Sequence, residues 1–197
     1  MNATATPPRW AEALLRAFLR PGEFESVSGD LLEQYRDSIH PSRGQRGANV
    51  WYVVRVFGFV APGALLFAAL FGAEFLARVG LDWFAPPADF HARASATTAL
   101  AAGTLLAAGF CAAWRSGVFT AGFVAGLLTA GLASVISIVG VVALLVVWHD
   151  PQTMAAIRGS GGLEEVFTLP LLIIVPGILL GGAGGVAGAV FKRLSLT

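Results

Sequence analysis

Long, almost uncharged apolar runs fill most of this chain, and a shorter patterned segment precedes them. The runs lie at about 50–77, 97–114, 118–148 and 166–191. A helix crosses roughly 30 Å of hydrocarbon in about 20 residues, so each run suits one membrane crossing. The third is longer than needed and is expected to tilt or project, with Gly131 as a bend point. Pro62 and Pro176–Gly177 fall inside the first and fourth runs, where a missing backbone donor is expected to kink the helix.

The front of the chain follows a different rhythm. Trp10, Leu14 and Phe18 recur every four residues with Ala13 and Ala17 beside them, which predicts one helix with a single apolar stripe. Pro21–Gly22 is expected to stop it. A second helix is predicted over about 23–39, with Phe24, Val27, Leu31 and Tyr35 as its stripe and Glu25, Glu33, Arg36 and Asp37 toward the other side. His40–Pro41–Ser42 is expected to end it. The pattern predicts an all-α protein, an integral membrane bundle of four transmembrane helices (49–197) preceded by a short cytoplasmic helical hairpin (1–48).

Composition supports a bilayer as solvent. The chain is 56% hydrophobic and 13% charged, against about 25% charged in soluble domains. No cleavable leader is expected, because the early apolar residues are islands rather than a run. The net charge of +1 gives no reason to expect nucleic acid as a partner. The single cysteine, Cys111, excludes an intramolecular disulfide and a Cys-based metal site.

Charge sets orientation. Arg43, Arg46 and Arg55 flank the first span, Arg115 sits between the second and third, and Lys192 and Arg193 follow the fourth. Arg78, Arg93 and Arg158 in the other loops are diluted by acids. The bias places both termini in the cytoplasm. Trp51, Tyr52, Trp83, Trp114 and Trp148 fall at span ends, as an aromatic belt would.

Small residues mark the helix contacts. Gly122 and Gly126 share one face of span three. Gly181 with Gly185, and Gly184 with Gly188, do so in span four, Gly103 with Ala107 in span two, and Ala68 with Gly72 in span one. Residues four apart let two backbones approach closely. Packing within one bundle is the expected use, and a homodimer through span four is the alternative.

Chemistry is sparse. Ser134, Ser137, Thr104 and Thr129 are expected to satisfy their hydroxyls on their own helices. Glu74 and Arg78 are expected to form an i,i+4 interfacial ion pair. His40, His91 and His149 lie outside the spans, and no Asp lies inside one. An intramembrane enzyme needs paired groups at depth, so no catalytic residue, metal or cofactor is expected. The stretch "RVGLDWFAPPADFHAR" (78–93) is expected to rest as a loop on the membrane interface. Asp150 is expected to cap a short helix opening at Pro151 and ending near Arg158. "GSGG" (159–162) lacks the lysine and flanking elements of a phosphate loop and is expected to be a flexible turn.

The segment "PPRWAEALLRAFLRPGEFESVSGDLLEQYRD" with "GANVWYVVRVF" resembles the permease prefix domain found ahead of some bacterial ABC-type permeases. The matching residues are Pro8, Leu14, Leu15, Gly29, Asp30, Leu31, Glu33, Tyr35, Trp51 and Tyr52. The segment is also similar to small helical cytosolic domains of membrane proteins encoded beside PadR-like regulators. The likeness covers about the first 57 residues. The permeases of that family carry a long periplasmic domain after their first span, whereas fewer than twenty residues separate the first two spans here. The resemblance implies a shared cytoplasmic adaptor rather than transport. The expected function is a non-enzymatic membrane protein whose front helices dock a cytoplasmic regulator or an ABC-type ATPase through Asp30, Glu33, Tyr35, Arg36 and Asp37. A front hairpin that only caps the bundle, or an accessory or permease-like part of a transport complex, is the alternative, and self-association is a further option.

Overall fold

One helix, α3 (His40–Phe84), ties the front of the chain to the bundle. The computed structural model describes residues 6–85, 90–159 and 162–195. Ahead of α3 lie α1 (Arg9–Phe18) and α2 (Pro21–Gln34), the latter continuing into a wider π turn over Tyr35–Ile39. Behind it come α4 (Phe90–Ser116), α5 (Thr120–Val147), α6 (Pro151–Gly159), α7 (Gly162–Leu172) and α8 (Ile174–Leu194). The described residues are helical with short connections, and four stretches (62–84, 91–116, 120–147 and 162–194) are long and apolar enough to cross a membrane. The apex Pro86–Pro87 and Ser160–Gly161 of the expected turn lie outside the described residues.

The front segment departs from a simple hairpin. The expected stop at His40–Pro41–Ser42 falls inside helix, and the chain breaks instead at Gly44, where φ is 65°. Glycine reaches that left-handed conformation without a Cβ penalty. Pro41 sits in the first turn of α3, directly after the π turn. The wider turn relieves the clash a proline ring otherwise makes with the carbonyl four residues back. From Gln45 onward α3 then runs through the boundary expected at 48 and passes Pro62 without leaving helical dihedrals.

The first part of α3 is therefore the third helix of a small prefix domain. Ala11 and Leu15 of α1, Leu31 and Tyr35 of α2 and its π turn, and Ala48, Tyr52, Val56 and Val60 of α3 form one buried cluster. The hairpin is too small to bury its own stripes, and the extension of the first span covers them. This rotates the α1 stripe, so that Ala11 and Leu15 are buried while Trp10 is 57% exposed. The same packing takes Tyr52 out of the expected aromatic belt and into the core. Trp83 is also buried, with Val79, Val141 and Ile157 under α6. Trp114 and Trp148 stay partly exposed at helix ends, as a belt requires.

The bundle is inverted relative to a soluble protein. Large apolar side chains such as Val139, Val175 and Leu179 point outward, while much of the interior is Ala, Gly, Ser and Thr beside a few large side chains such as Phe71, Leu105 and Val141. On α5 the buried positions run from Ala121, Gly122, Ala125 and Gly126 through Ala130 to Ser134, Ser137 and Val141, one narrow helical face. Lipid is as apolar as leucine, so close backbone packing, rather than burial of leucine, holds such helices together.

The glycines close contacts inside the chain. A Cβ at Gly122 would strike Gly181 and Gly185, one at Gly126 would strike Gly177 and Gly181, and one at Gly188 would strike the Phe110 backbone. Gly109 and Gly184 make equally close contacts between α4 and α8. The glycine face of span four is thus occupied by α4 and α5, and a homodimer through that face has no surface to use. Gly131 and Gly103 face open space, and α5 runs unbroken past Gly131.

Two further expectations change at the end of the bundle remote from the prefix. Residues 78–84 and 90–93 are helical, extending α3 and α4, so the interfacial loop is much shorter than expected. The extension is possible because Asp82 draws in two cations, Arg93 at 2.9 Å and Arg78 at 3.5 Å. Arg78 accordingly pairs forward with Asp82 rather than back with Glu74. Glu74 instead accepts a hydrogen bond from Thr104 of α4 at 3.0 Å.

The fourth span is broken into α7 and α8 at Ile173, three residues before Pro176. Proline lacks the N–H that would bond the Leu172 carbonyl and crowds it sterically, which loosens the preceding turn. Ser134 hydrogen-bonds both Ala130 on its own helix and the Pro170 carbonyl across the interface. It is satisfied on its own helix, as expected, and it also ties α5 to α7. The buried hydroxyls of Thr129 and Ser137 have no hydrogen-bond partner at all.

Asp150 caps α6 as expected. Its Oδ1 accepts from the backbone N–H of Gln152 and Thr153 at 3.0 and 3.1 Å, and its Oδ2 from the Thr153 hydroxyl at 2.7 Å. Those bonds, the Thr153 hydroxyl foremost, hold its pKa below the ordinary 3.8. A lowered folded pKa means stability that is present above the unfolded value and lost as pH falls through the folded one. Hydrogen exchange is expected to show α6 fraying in Asp150→Ala at neutral pH, and in the wild type only below about pH 3.8.

Candidate functional site

The prefix domain is the part of the molecule with exposed, patterned charge. Asp30, Glu33 and Asp37 are exposed on α2 and the π turn, and Glu25 is exposed one turn earlier. Residues three and four apart on a helix are neighbours, so Asp30, Glu33 and Asp37 form an acidic strip opposite the Leu31–Tyr35 stripe. Gly29 leaves the strip bare, since a Cβ there would meet nothing. Arg36 is exposed beside it.

Tyr35 does not belong to this surface. It is fully buried. Its hydroxyl donates to Asn49 Oδ1 at 2.6 Å, and Gln45 Nε2 donates to the same hydroxyl at 2.9 Å. The Thr6 carbonyl lies 3.2 Å from both the Tyr35 hydroxyl and Gln45 Nε2. The ring packs edge-on against Tyr52, with centroids 5.8 Å apart. Desolvation by burial raises the phenol pKa above 10.0. Tyr35 is the anchor that fixes the π turn to α3, and it positions Asp37 and Arg36 without touching anything outside the domain. Sequence periodicity put Tyr35 on the apolar stripe, and that was the usable signal.

The domain is electrically two-sided. Arg43, Arg46 and Arg55 of α3 surround an open groove with Val50, Trp51 and Val54. Arg55 lies over the Trp51 ring at 5.8 Å. The two sides meet at Arg55, which lines an open pocket together with Asp30. The prefix also seats on the bundle, for Ala17 and Phe18 at the end of α1 pack against Ala112, Ala121 and Ala125 of α4 and α5. At the same end Lys192 Nζ of α8 donates to the Arg115 carbonyl at 2.8 Å, so the prefix and the end of α8 share one end of the bundle.

Among the described residues no three of His, Cys, Asp or Glu gather as a metal site would require. The prefix carries no nucleophile with a base in reach among its described hydrogen bonds. Comparison with family models, with curated proteins and with solved structures finds no match for this chain.

Proposed function

We propose that this protein is a non-enzymatic adaptor of the bacterial inner membrane, with both termini in the cytoplasm, whose prefix domain docks a soluble partner through the acidic strip Asp30, Glu33 and Asp37. The observation that carries this reading is the continuity of α3. One helix supplies both the third wall of the prefix core and the first membrane span. A partner seated on α2 is then coupled to the bundle through packed side chains rather than through a loose linker. The basic residues Arg43, Arg46, Arg55, Arg115, Lys192 and Arg193 cluster at the prefix end, which supports the orientation. The partner complementary to the strip presents a basic surface. The resemblance to permease prefix domains favours a cytoplasmic regulator or an ABC-type ATPase.

The test is capture from native membranes by the full chain and by the triple variant D30K/E33K/D37K. All three residues are exposed, so insertion and expression are expected to be unchanged while partner recovery falls at least tenfold. Undiminished recovery by the triple variant would sink the docking role of this strip. An ATPase among the captured proteins would place the chain in a transport complex instead of a signalling one. Deleting the front residues is a poorer test, because it uncovers Ala48, Tyr52 and Val56 of α3.

A further inference from the structure

A slot runs down the bundle from the prefix end, apart from the acidic strip. It holds about 320 Å³ and lies between α3, α4 and α5, with Phe18 and Leu19 at the end of α1 also in its wall. On α3 the wall runs from Phe59 to Phe67, about 12 Å along a helix. On α4 it runs from Arg115 back to Ala108. The slot is open sideways, for Phe59, Gly63, Leu66 and Cys111 in its wall are exposed. A Cβ added at Gly63 would meet nothing within 4 Å.

Among the described residues of this wall, Arg115 alone is charged. It is the last residue but one of the apolar stretch 91–116, so it falls where a crossing helix meets the headgroups. It is exposed, and among the described residues no carboxylate pairs with it. Lys192 is turned to the Arg115 carbonyl instead. The slot is therefore an apolar trough with one accessible cation at its interfacial end. That is the complement of an acyl chain with an anionic head, since a guanidinium binds a carboxylate or a phosphate through two parallel hydrogen bonds. A chain gains little by leaving lipid for an equally apolar wall, so the head decides which amphiphile is held.

We infer that this slot holds one acyl chain of an anionic amphiphile, with its carboxylate or phosphate on the Arg115 guanidinium and its chain against Phe59, Gly63 and Phe67. A volume of 320 Å³ is at the small end of ligand pockets, about 300–1,000 Å³, which suits one chain rather than two. The lateral opening lets the chain enter from the bilayer. The occupant also touches Phe18 and Leu19, so it lies between the prefix and the bundle.

The test reads the rate at which N-ethylmaleimide alkylates Cys111, the chain's one cysteine, which is exposed in the slot wall. The full chain is placed in phosphatidylcholine nanodiscs at about pH 8, where a carboxylate and an alkylammonium are both charged. Dodecanoate is expected to slow alkylation saturably and at least tenfold, and dodecan-1-ol and dodecylammonium less than twofold. A second arm replaces part of the phosphatidylcholine with phosphatidylglycerol. Protection there without added dodecanoate assigns the slot to a bilayer phospholipid, and protection by dodecanoate alone assigns it to a free fatty acid. Arg115→Gln is expected to cancel the protection, and Arg115→Lys, which keeps the charge, to retain most of it. Each rate is compared with that of the same protein in phosphatidylcholine alone, so a change in the thiol itself drops out. The inference is overturned if neither dodecanoate nor phosphatidylglycerol protects Cys111, if the three dodecyl probes protect it equally, or if Arg115→Gln is protected as well as the wild type.

Discussion

Leucine at Gly109 is expected to prevent the bundle from closing. A Cβ at this position would overlap the Gly181 backbone of α8. Backbone atoms cannot move aside as a side-chain tip does, so the whole of α8 must shift. That shift would also part Gly184 from Leu106 and Phe110, and Gly181 from Gly122 and Gly126. Overpacking costs about 1–3 kcal/mol where neighbours can relax, and here several backbone contacts are lost together. The expected result is a chain that inserts but aggregates on extraction into mild detergent. Gly131→Leu is the control, since a Cβ there meets nothing within 4 Å. It is expected to leave the aggregation temperature unchanged. Equal behaviour of the two variants would refute the close contact of α4 with α8.

Tyr35→Ala is expected to unfold the prefix while the bundle persists. Tyr35 is among the largest fully buried side chains of the molecule. Removing a buried aromatic side chain typically costs about 3–5 kcal/mol, and a three-helix domain has little stability to lose. Asn49 and Gln45 would also lose their shared partner. Hydrogen exchange is expected to show α1 and α2 losing protection while α5 and α8 keep theirs. Tyr35→Phe, which removes only the hydroxyl, is expected to cost about 1 kcal/mol. Burial also gives a pH signature. With its folded pKa raised above 10.0, Tyr35 contributes stability that is complete below the unfolded value and declines as pH climbs past it. Alkaline loosening of the prefix above about pH 10 is therefore expected to be weaker in the Phe variant. If Tyr35→Ala leaves the exchange of α1 and α2 unchanged, the prefix core is held by other contacts.

Because Tyr35 is an anchor, the two large predictions also separate the two parts of the molecule. Loss of the prefix core removes the acidic strip without disturbing the glycine contacts. Loss of the glycine contacts removes the seat of Phe18 on Ala112, Ala121 and Ala125.

Much of this architecture was legible from local pattern. Uninterrupted hydrophobic length specifies a crossing segment, because no backbone polar group can be left unpaired in hydrocarbon and a helix pairs its own. Spacing of four marked Gly122, Gly126, Gly181 and Gly185 as contact residues, since such positions share one helical face. Asp150 before Pro151 announced a helix start, because the acid and the backbone donors it satisfies lie within three residues. What pattern could not supply was the identity of each face's partner. The stripe of α1 and α2 required burial, and only the packed molecule assigned it to the extension of α3. Arg78 had acids at equal spacing on both sides, Glu74 and Asp82. The choice fell to Asp82 because Arg93, from another helix, adds to its pull. That choice left Glu74 to Thr104, 30 residues away, and set it beside the break at Ile173. Periodicity along one chain fixes which face of a helix is buried, but the energy of a contact depends on what stands opposite, and that is settled only when all the helices are packed.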